Sequence, residues 1–277
     1  MSHPMSEAPP PDGDEELETV TSADGTEIAF KRMGSGPPLV LVHGTTADHT
    51  AWRVVLPGFE EHVTGYAMDR RGRGESGDTV EYELEWEAED VAAVVDAIDE
   101  SVTLLGHSGG GLFSLEAALQ TDNLHKLILY EPAISVDDHE FSSDEVRAEM
   151  KTLLDSGENE QALILFLQEV ANFSPAEIDQ LRAAPNWRDR VHAAHTAYRE
   201  SRVEAEYEFD PARFTDMTTP TLLLSGSESP SQYRDAVDTL NDVLPNSRIA
   251  VFDGHAHVAH YTAPERFTDE VLTFIRE

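Results

Sequence analysis

Residues 102–115 read Val-Thr-Leu-Leu-Gly-His-Ser-Gly-Gly-Gly-Leu-Phe-Ser-Leu. The stretch begins as an apolar strand and ends as a helix. Between them sits Ser108, with Gly106 before it and Gly109 and Gly110 after it. A chain that passes from strand to helix in so few residues needs neighbours without bulk and holds the corner residue in a strained backbone conformation. Such a corner pushes the hydroxyl clear of the sheet and sets it at a helix N-terminus, where free N–H groups and the positive end of the dipole meet. A bare Gly-x-Ser-x-Gly is short enough to arise by chance. The strand "VTLLG" before it and the helix "GLFSLEAAL" after it make the reading of Ser108 as a nucleophile specific.

Outward from this corner the chain alternates. "LETVTS" and "TEIAFKR" flank the turn "ADG" as a hairpin. "PPLVLVHG", "VTGYAMD", "HKLILYEP", "TPTLLLSG" and "SRIAVFDG" read as further strands, and "EWEAEDVAAVVDAIDE", "SQYRDAVDTLNDVL" and "APERFTDEVLTFIRE" as amphipathic helices. With "VTLLG" this makes eight strands. Apolar strands alternating with such helices predict an α/β fold, a mostly parallel sheet covered on both faces. Residues 137–215 break the alternation, with helical patterns and no strand. "SPAEIDQL" there carries a capping box, Ser174 to Glu177, with Pro175 at the first helical position. The expected division is a core of residues 17–136 and 216–277, a helical lid of residues 137–215 inserted after the sixth strand, and a polar, proline-rich tail of residues 1–16.

Composition narrows the function. Among 277 residues, 19 basic and 54 acidic side chains give a net charge of −35, with no cysteine. Such a charge repels nucleic acid and anionic membrane, so neither is an expected partner. Its spread along the chain, with only three lysines, resembles the surfaces of proteins from salt-loving organisms, where concentrated ions screen self-repulsion. Disulfides, thiolate metal sites and a cysteine nucleophile are excluded. No apolar run reaches 18 residues and the N-terminus lacks a signal-peptide pattern, so a cytoplasmic protein is expected, as monomer or homodimer.

A serine needs a base. Of the twelve histidines, His257 in "FDGHAHVAHYTAPERF" is best placed, since it follows the last strand through a short glycine-containing loop. His255 and His260 beside it raise the rival reading of a metal site, but no set of acids completes it. His192 and His195, in the lid, read as exposed.

Four blocks together resemble the α/β-hydrolase family, from about residue 17 to the end: "HGTT" (43–46), "DRRGRGESG" (69–77), "GHSGG" (106–110) and "DGHAHVAHYTAPERF" (253–267). The resemblance implies a mostly parallel eight-stranded α/β-hydrolase sheet. It implies attack by Ser108 on a carbonyl carbon, His257 as general base, and an oxyanion hole from the N–H groups of Thr45 and Gly109, with His43 orienting their loop and Arg70, Gly72, Gly74 and Ser76 as scaffold. The family usually places the third member three residues beyond the glycine of "TPTLLLSG", but Ser229 stands there and Glu228 comes one residue early. Some branches, such as haloalkane dehalogenases, place it at the end of the preceding strand, where Glu131 lies 23 residues after the serine. Glu131 is the preferred acid and Glu228 the alternative.

The implied activity is hydrolysis of an ester or related acyl bond of a small, apolar substrate with short to medium acyl chains, without metal or organic cofactor. Phe166, Phe173 and Trp187 in the lid suggest its pocket. A serine rather than an aspartate nucleophile argues against dehalogenase and epoxide hydrolase chemistry. C–C bond hydrolysis, perhydrolysis and acyl transfer use the same triad and remain open, as does a binding protein that has lost catalysis.

Overall fold

The strands of the computed structural model, which describes residues 16–136 and 141–277, are β1 (Glu16–Thr21), β2 (Glu27–Gly34), β3 (Pro38–Val42), β4 (Thr64–Met68), β5 (Val102–His107), β6 (Leu124–Tyr130), β7 (Thr221–Gly226) and β8 (Ser247–Phe252). They form one sheet in the order β1-β2-β4-β3-β5-β6-β7-β8. The hairpin β1–β2 and the pair β2–β4 are antiparallel, and every pairing from β4–β3 to β7–β8 is parallel. The expected tail, residues 1–16, lies outside the described residues except for Glu16, which opens β1.

The central strands β3, β5 and β7 are buried at every position, which is why they read as unbroken apolar runs rather than as alternation. The helices are α1 (Leu56–Phe59), α2 (Leu84–Asp96), α3 (Gly109–Ala117), α4 (Asp144–Asp155), α5 (Asn159–Glu169), α6 (Pro175–Ala183), α7 (Trp187–His192), α8 (Ala194–Glu206), α9 (Ser231–Val243), α10 (Ala259–Thr262) and α11 (Pro264–Arg276). On one face Val40, Leu104, Leu127 and Leu223 pack with Val91 and Val95 of α2, Leu112 of α3 and Val237 of α9. On the other, Leu41, Leu105, Ile128 and Leu222 pack with Phe59 of α1 and Phe267 and Val271 of α11. Truncating a fully buried leucine in either layer to alanine costs about 2–5 kcal/mol.

Among the described residues, five helices, α4 to α8, lie between β6 and β7. They have a core of their own, with Met150, Leu163, Phe166, Leu167, Ile178 and Leu181, and it joins the main body through Ala133 and Tyr233. The capping box at α6 is formed, with Ser174 and Glu177 each bonding the other's backbone. Residues 137–140, at the expected start of the lid, lie outside the described residues.

Candidate functional site

The corner between β5 and α3 has the geometry that its glycines require. Ser108 is held at φ 56° and ψ −125°, a region that side-chain-bearing residues rarely occupy. A Cβ at Gly106 would lie 2.4 Å from Ser114 Oγ, and one at Gly110 2.3 Å from the carbonyl oxygen of His43. The strain is held by the backbone: Ser108 N–H donates to Tyr130 O (3.0 Å), and Ser108 O accepts from Gly111 and Ala133.

His257, in the loop after β8, is fixed from three sides. Its Nδ1 donates to Glu131 Oε2 at 2.7 Å. His107 Nε2 donates to its carbonyl oxygen at 2.8 Å. The ring of Tyr233, from the first turn of α9, stacks on the imidazole with 4.0 Å between centroids and 22° between planes. Donation from Nδ1 leaves the lone pair on Nε2. Ser108 and His257 line one cavity. The Ser108 side chain is in hydrogen-bonding reach of the Tyr233 phenol, and among the described residues it makes no direct hydrogen bond to His257.

Glu131 is fully buried at the end of β6 and has a positive φ of 43°. Its second oxygen, Oε1, accepts from Gly226 N–H (2.7 Å) and Ser225 Oγ (3.3 Å), so the end of β7 holds the carboxylate that faces His257. Glu228 is exposed, and among the described residues the carboxyl hydrogen-bonded to His257 is that of Glu131. Ser229, at the position where the family usually has its acid, is buried and its hydroxyl has no partner among the described residues.

Thr45 and Gly109 adjoin: a Cβ on Gly109 would lie 3.0 Å from Thr45 Oγ1. Neither backbone N–H donates a hydrogen bond among the described residues. The loop bearing Thr45 is tied down by charged groups. Arg73 Nε donates to Thr45 O (3.2 Å), Arg70 donates to His43 O (3.3 Å), and the Arg70 N–H reaches His43 Nε2 (3.1 Å). Burial, with Arg70 and Arg73 alongside, pushes the His43 imidazole down to about 3, so it stays a neutral acceptor. Ser76 Oγ accepts from Ala29 N–H, and Asp69 is taken by His49, which gives that loop its structural place.

The other histidines divide. His260 lines the cavity beside His107, and burial followed by the neighbouring His257 pushes it down to about 3. Burial, with His257 and His260 next, pushes His107 well below the usual range. His255 is turned to Thr262, 2.8 Å away, while His192 and His195 are exposed. Phe166 and Phe173 line the cavity, whereas Trp187 packs under Arg182 instead.

A model described as the alpha/beta hydrolase family matches residues 39–270. The chain belongs to the alpha/beta hydrolase family. Among family members of known structure, an alpha/beta hydrolase from Sphaerobacter thermophilus superposes with a TM-score of 0.82 at 33% identity, covering 93% of this chain and 100% of that one. An esterase from Rhodococcus sp. ECU1013 gives 0.76 at 26% identity, covering 94% and 98%. In sequence, a pimeloyl-[acyl-carrier protein] methyl ester esterase of Aeromonas hydrophila is 28% identical over 255 residues, 90% of this chain and 99% of the relative.

Several residues around the hydrolase pocket escaped the sequence reading. His107 is the variable position inside the serine motif, and nothing in the sequence marks it for a role of its own. Tyr233 is the only aromatic residue of α9, and that isolation in a polar helix was its one signal. Glu200 and Glu204 are one turn apart on α8, a spacing that carries no signal of burial in the sequence. Both are buried, and Glu204 lines the cavity.

Proposed function

We propose that this hydrolase cleaves esters or closely related acyl bonds through an acyl-enzyme on Ser108. His257 takes the serine proton and returns it to the leaving group. Glu131 holds the imidazole in the tautomer with Nε2 free and stabilises the imidazolium that forms. The N–H groups of Thr45 and Gly109 receive the oxyanion. The helices α4 to α8 serve as a lid over the site. The single observation that carries this reading is the 2.7 Å contact of Glu131 with His257 Nδ1, in a loop that lines one cavity with the strained Ser108. The relatives named as esterases give it further support.

The test is covalent. A fluorophosphonate should add one equivalent to the peptide bearing Ser108, and Ser108→Ala should abolish both labelling and hydrolysis of p-nitrophenyl butanoate. Labelling that persists in Ser108→Ala, or turnover within tenfold of wild type, overturns the assignment.

A further inference from the structure

Beneath the Thr45 loop lies a buried cluster of charges. Arg70 pairs with both oxygens of Glu87 at 2.9 Å each and with Glu200 Oε1 at 3.0 Å. Arg73 pairs with Glu87 at 2.9 Å and with the second oxygen of Glu200. The Tyr82 hydroxyl donates to Glu87 at 2.6 Å, and the Thr45 hydroxyl to Glu200 at 3.0 Å. Two guanidiniums thus meet two carboxylates, and their charges balance.

Glu204 is the third carboxyl of this cluster. It sits one turn beyond Glu200 on α8 and is 6% exposed. Among the described residues it has no ion pair, and its Oε1 is buried without a hydrogen-bond partner. Arg190, the one arginine among the described residues lining the cavity, donates through Nη1 to the carbonyl oxygen of Thr46 at 2.7 Å and makes no ion pair with Glu204. A buried carboxylate with no partner is costly, so the group is retained as the neutral acid. Burial first, and the neighbouring Glu200 second, push it well above the usual carboxylate range against the opposing pull of Arg70 and Arg73. A neutral acid carries an O–H donor. Glu204 lines the cavity with Ser108, and its Oε1 lies 3.2 Å from the point where a Cβ on Gly109 would be, with Glu200 Oε1 nearer still. The same cavity is lined by the apolar side chains Phe141, Phe166, Val170 and Phe173.

We infer that Glu204, the carboxyl left over by that charge balance, is the hydrogen-bond donor by which the pocket recognises its substrate, selecting acyl groups with an acceptor oxygen close to the scissile carbonyl. The inference rests on the reading of Ser108 as nucleophile and narrows it from apolar acyl groups to oxygen-bearing ones, such as alkoxy, keto or amido acyl chains. An apolar acyl chain of the same length would leave the buried O–H without a partner, the kind of mismatch that protein sites reject strongly.

The test compares p-nitrophenyl methoxyacetate with p-nitrophenyl butanoate, which have equal numbers of heavy atoms and differ by one ether oxygen. Each kcat/KM is divided by the ester's rate constant for hydroxide hydrolysis. In the wild type this normalised ratio should favour methoxyacetate at least tenfold. Glu204→Leu should lower the ratio at least tenfold, and Glu204→Gln, whose amide still donates, should hold it within threefold. A wild-type ratio near one, a ratio unchanged in Glu204→Leu, or one lost as fully in Glu204→Gln as in Glu204→Leu overturns the inference. The wild-type measurement stands even if Glu204→Leu does not fold. If Ser108 takes the fluorophosphonate and neither ester turns over, the substrate inference is wrong. If Ser108 is not labelled, the nucleophile assignment fails first.

Discussion

Tyr233 lies almost flat on His257, 4.0 Å between ring centroids, and its hydroxyl reaches Ser108. The aromatic ring therefore fixes the plane of the imidazole, while the phenol lies within reach of the serine hydroxyl. Removing the hydroxyl and removing the ring should have different effects. Tyr233→Phe keeps the stack and should hold kcat within about threefold of wild type. Tyr233→Ala leaves the imidazole unsupported on that face, and loss of orientation of a reacting group commonly costs about 100-fold. Its kcat for p-nitrophenyl butanoate should fall by about that factor with little change in KM. Equal behaviour of the two variants would show that the stack does not orient His257.

Glu131 and Glu228 sit at the ends of adjacent strands, β6 and β7, yet among the described residues it is Glu131 that hydrogen-bonds His257, while Glu228 is exposed. Glu131→Gln should lower kcat by about 1,000- to 10,000-fold, because an amide can hold the ring in the wrong tautomer and cannot balance an imidazolium. Glu228→Gln should stay within about twofold. Steady-state kinetics, with folding checked by circular dichroism, decides between them. A collapse confined to Glu228→Gln would remove Glu131 from its assigned role.

The contrast between these two acids shows what the sequence made legible. The sheet was readable because β3, β5 and β7 are buried at every position, so that their apolar runs have no other interpretation. The corner at Ser108 was readable because strand, glycines and helix are contiguous. The acid was not settled, because the Glu131–His257 contact spans 126 residues and depends on how β7 clasps the Glu131 carboxylate through Gly226. The cluster around Glu87 and Glu200 was invisible for a related reason. A charged residue one turn from another on a helix normally marks the solvent face, and only the placement of Arg70 and Arg73 against α8 turns that face inward.

Three histidines should make the fold sensitive to acid. His43, His107 and His260 are buried and held neutral, His43 and His260 down to about 3. Histidines of the unfolded chain titrate near 6.5. Below that pH the unfolded state binds more protons than the folded one, so stability is lost as pH falls from about 6.5 toward 3. Each such histidine contributes a slope of up to about 1.4 kcal/mol per pH unit. Asp90, raised to about 6 by burial against the pull of Arg71, and Glu204 act in the opposite direction. Urea unfolding between pH 6 and 5 should therefore show His260→Gln with a slope shallower than wild type by about 1 kcal/mol per pH unit. An identical slope would mean that His260 takes up a proton in the folded protein.

The net charge of −35 leads to the last expectation. Arg70, Arg71, Arg73 and Lys126 are buried, so the surface has still fewer cations than the composition suggests. At 0.01 M salt the screening length is about 30 Å, comparable to the molecule, and surface carboxylates repel across it; at 1 M it is about 3 Å and the repulsion is nearly gone. The melting temperature should accordingly rise by on the order of 10 °C between 0.05 M and 2 M sodium chloride, or about 3–4 kcal/mol for a chain of this size. Screening and solvent exclusion can be separated by the form of the rise. Screening gives most of the gain below about 0.5 M and depends little on the anion, whereas exclusion grows steadily and is much larger for sulfate than for chloride. A melting temperature that is the same in dilute buffer and in 2 M chloride would mean that the acidic surface is not an adaptation to salt.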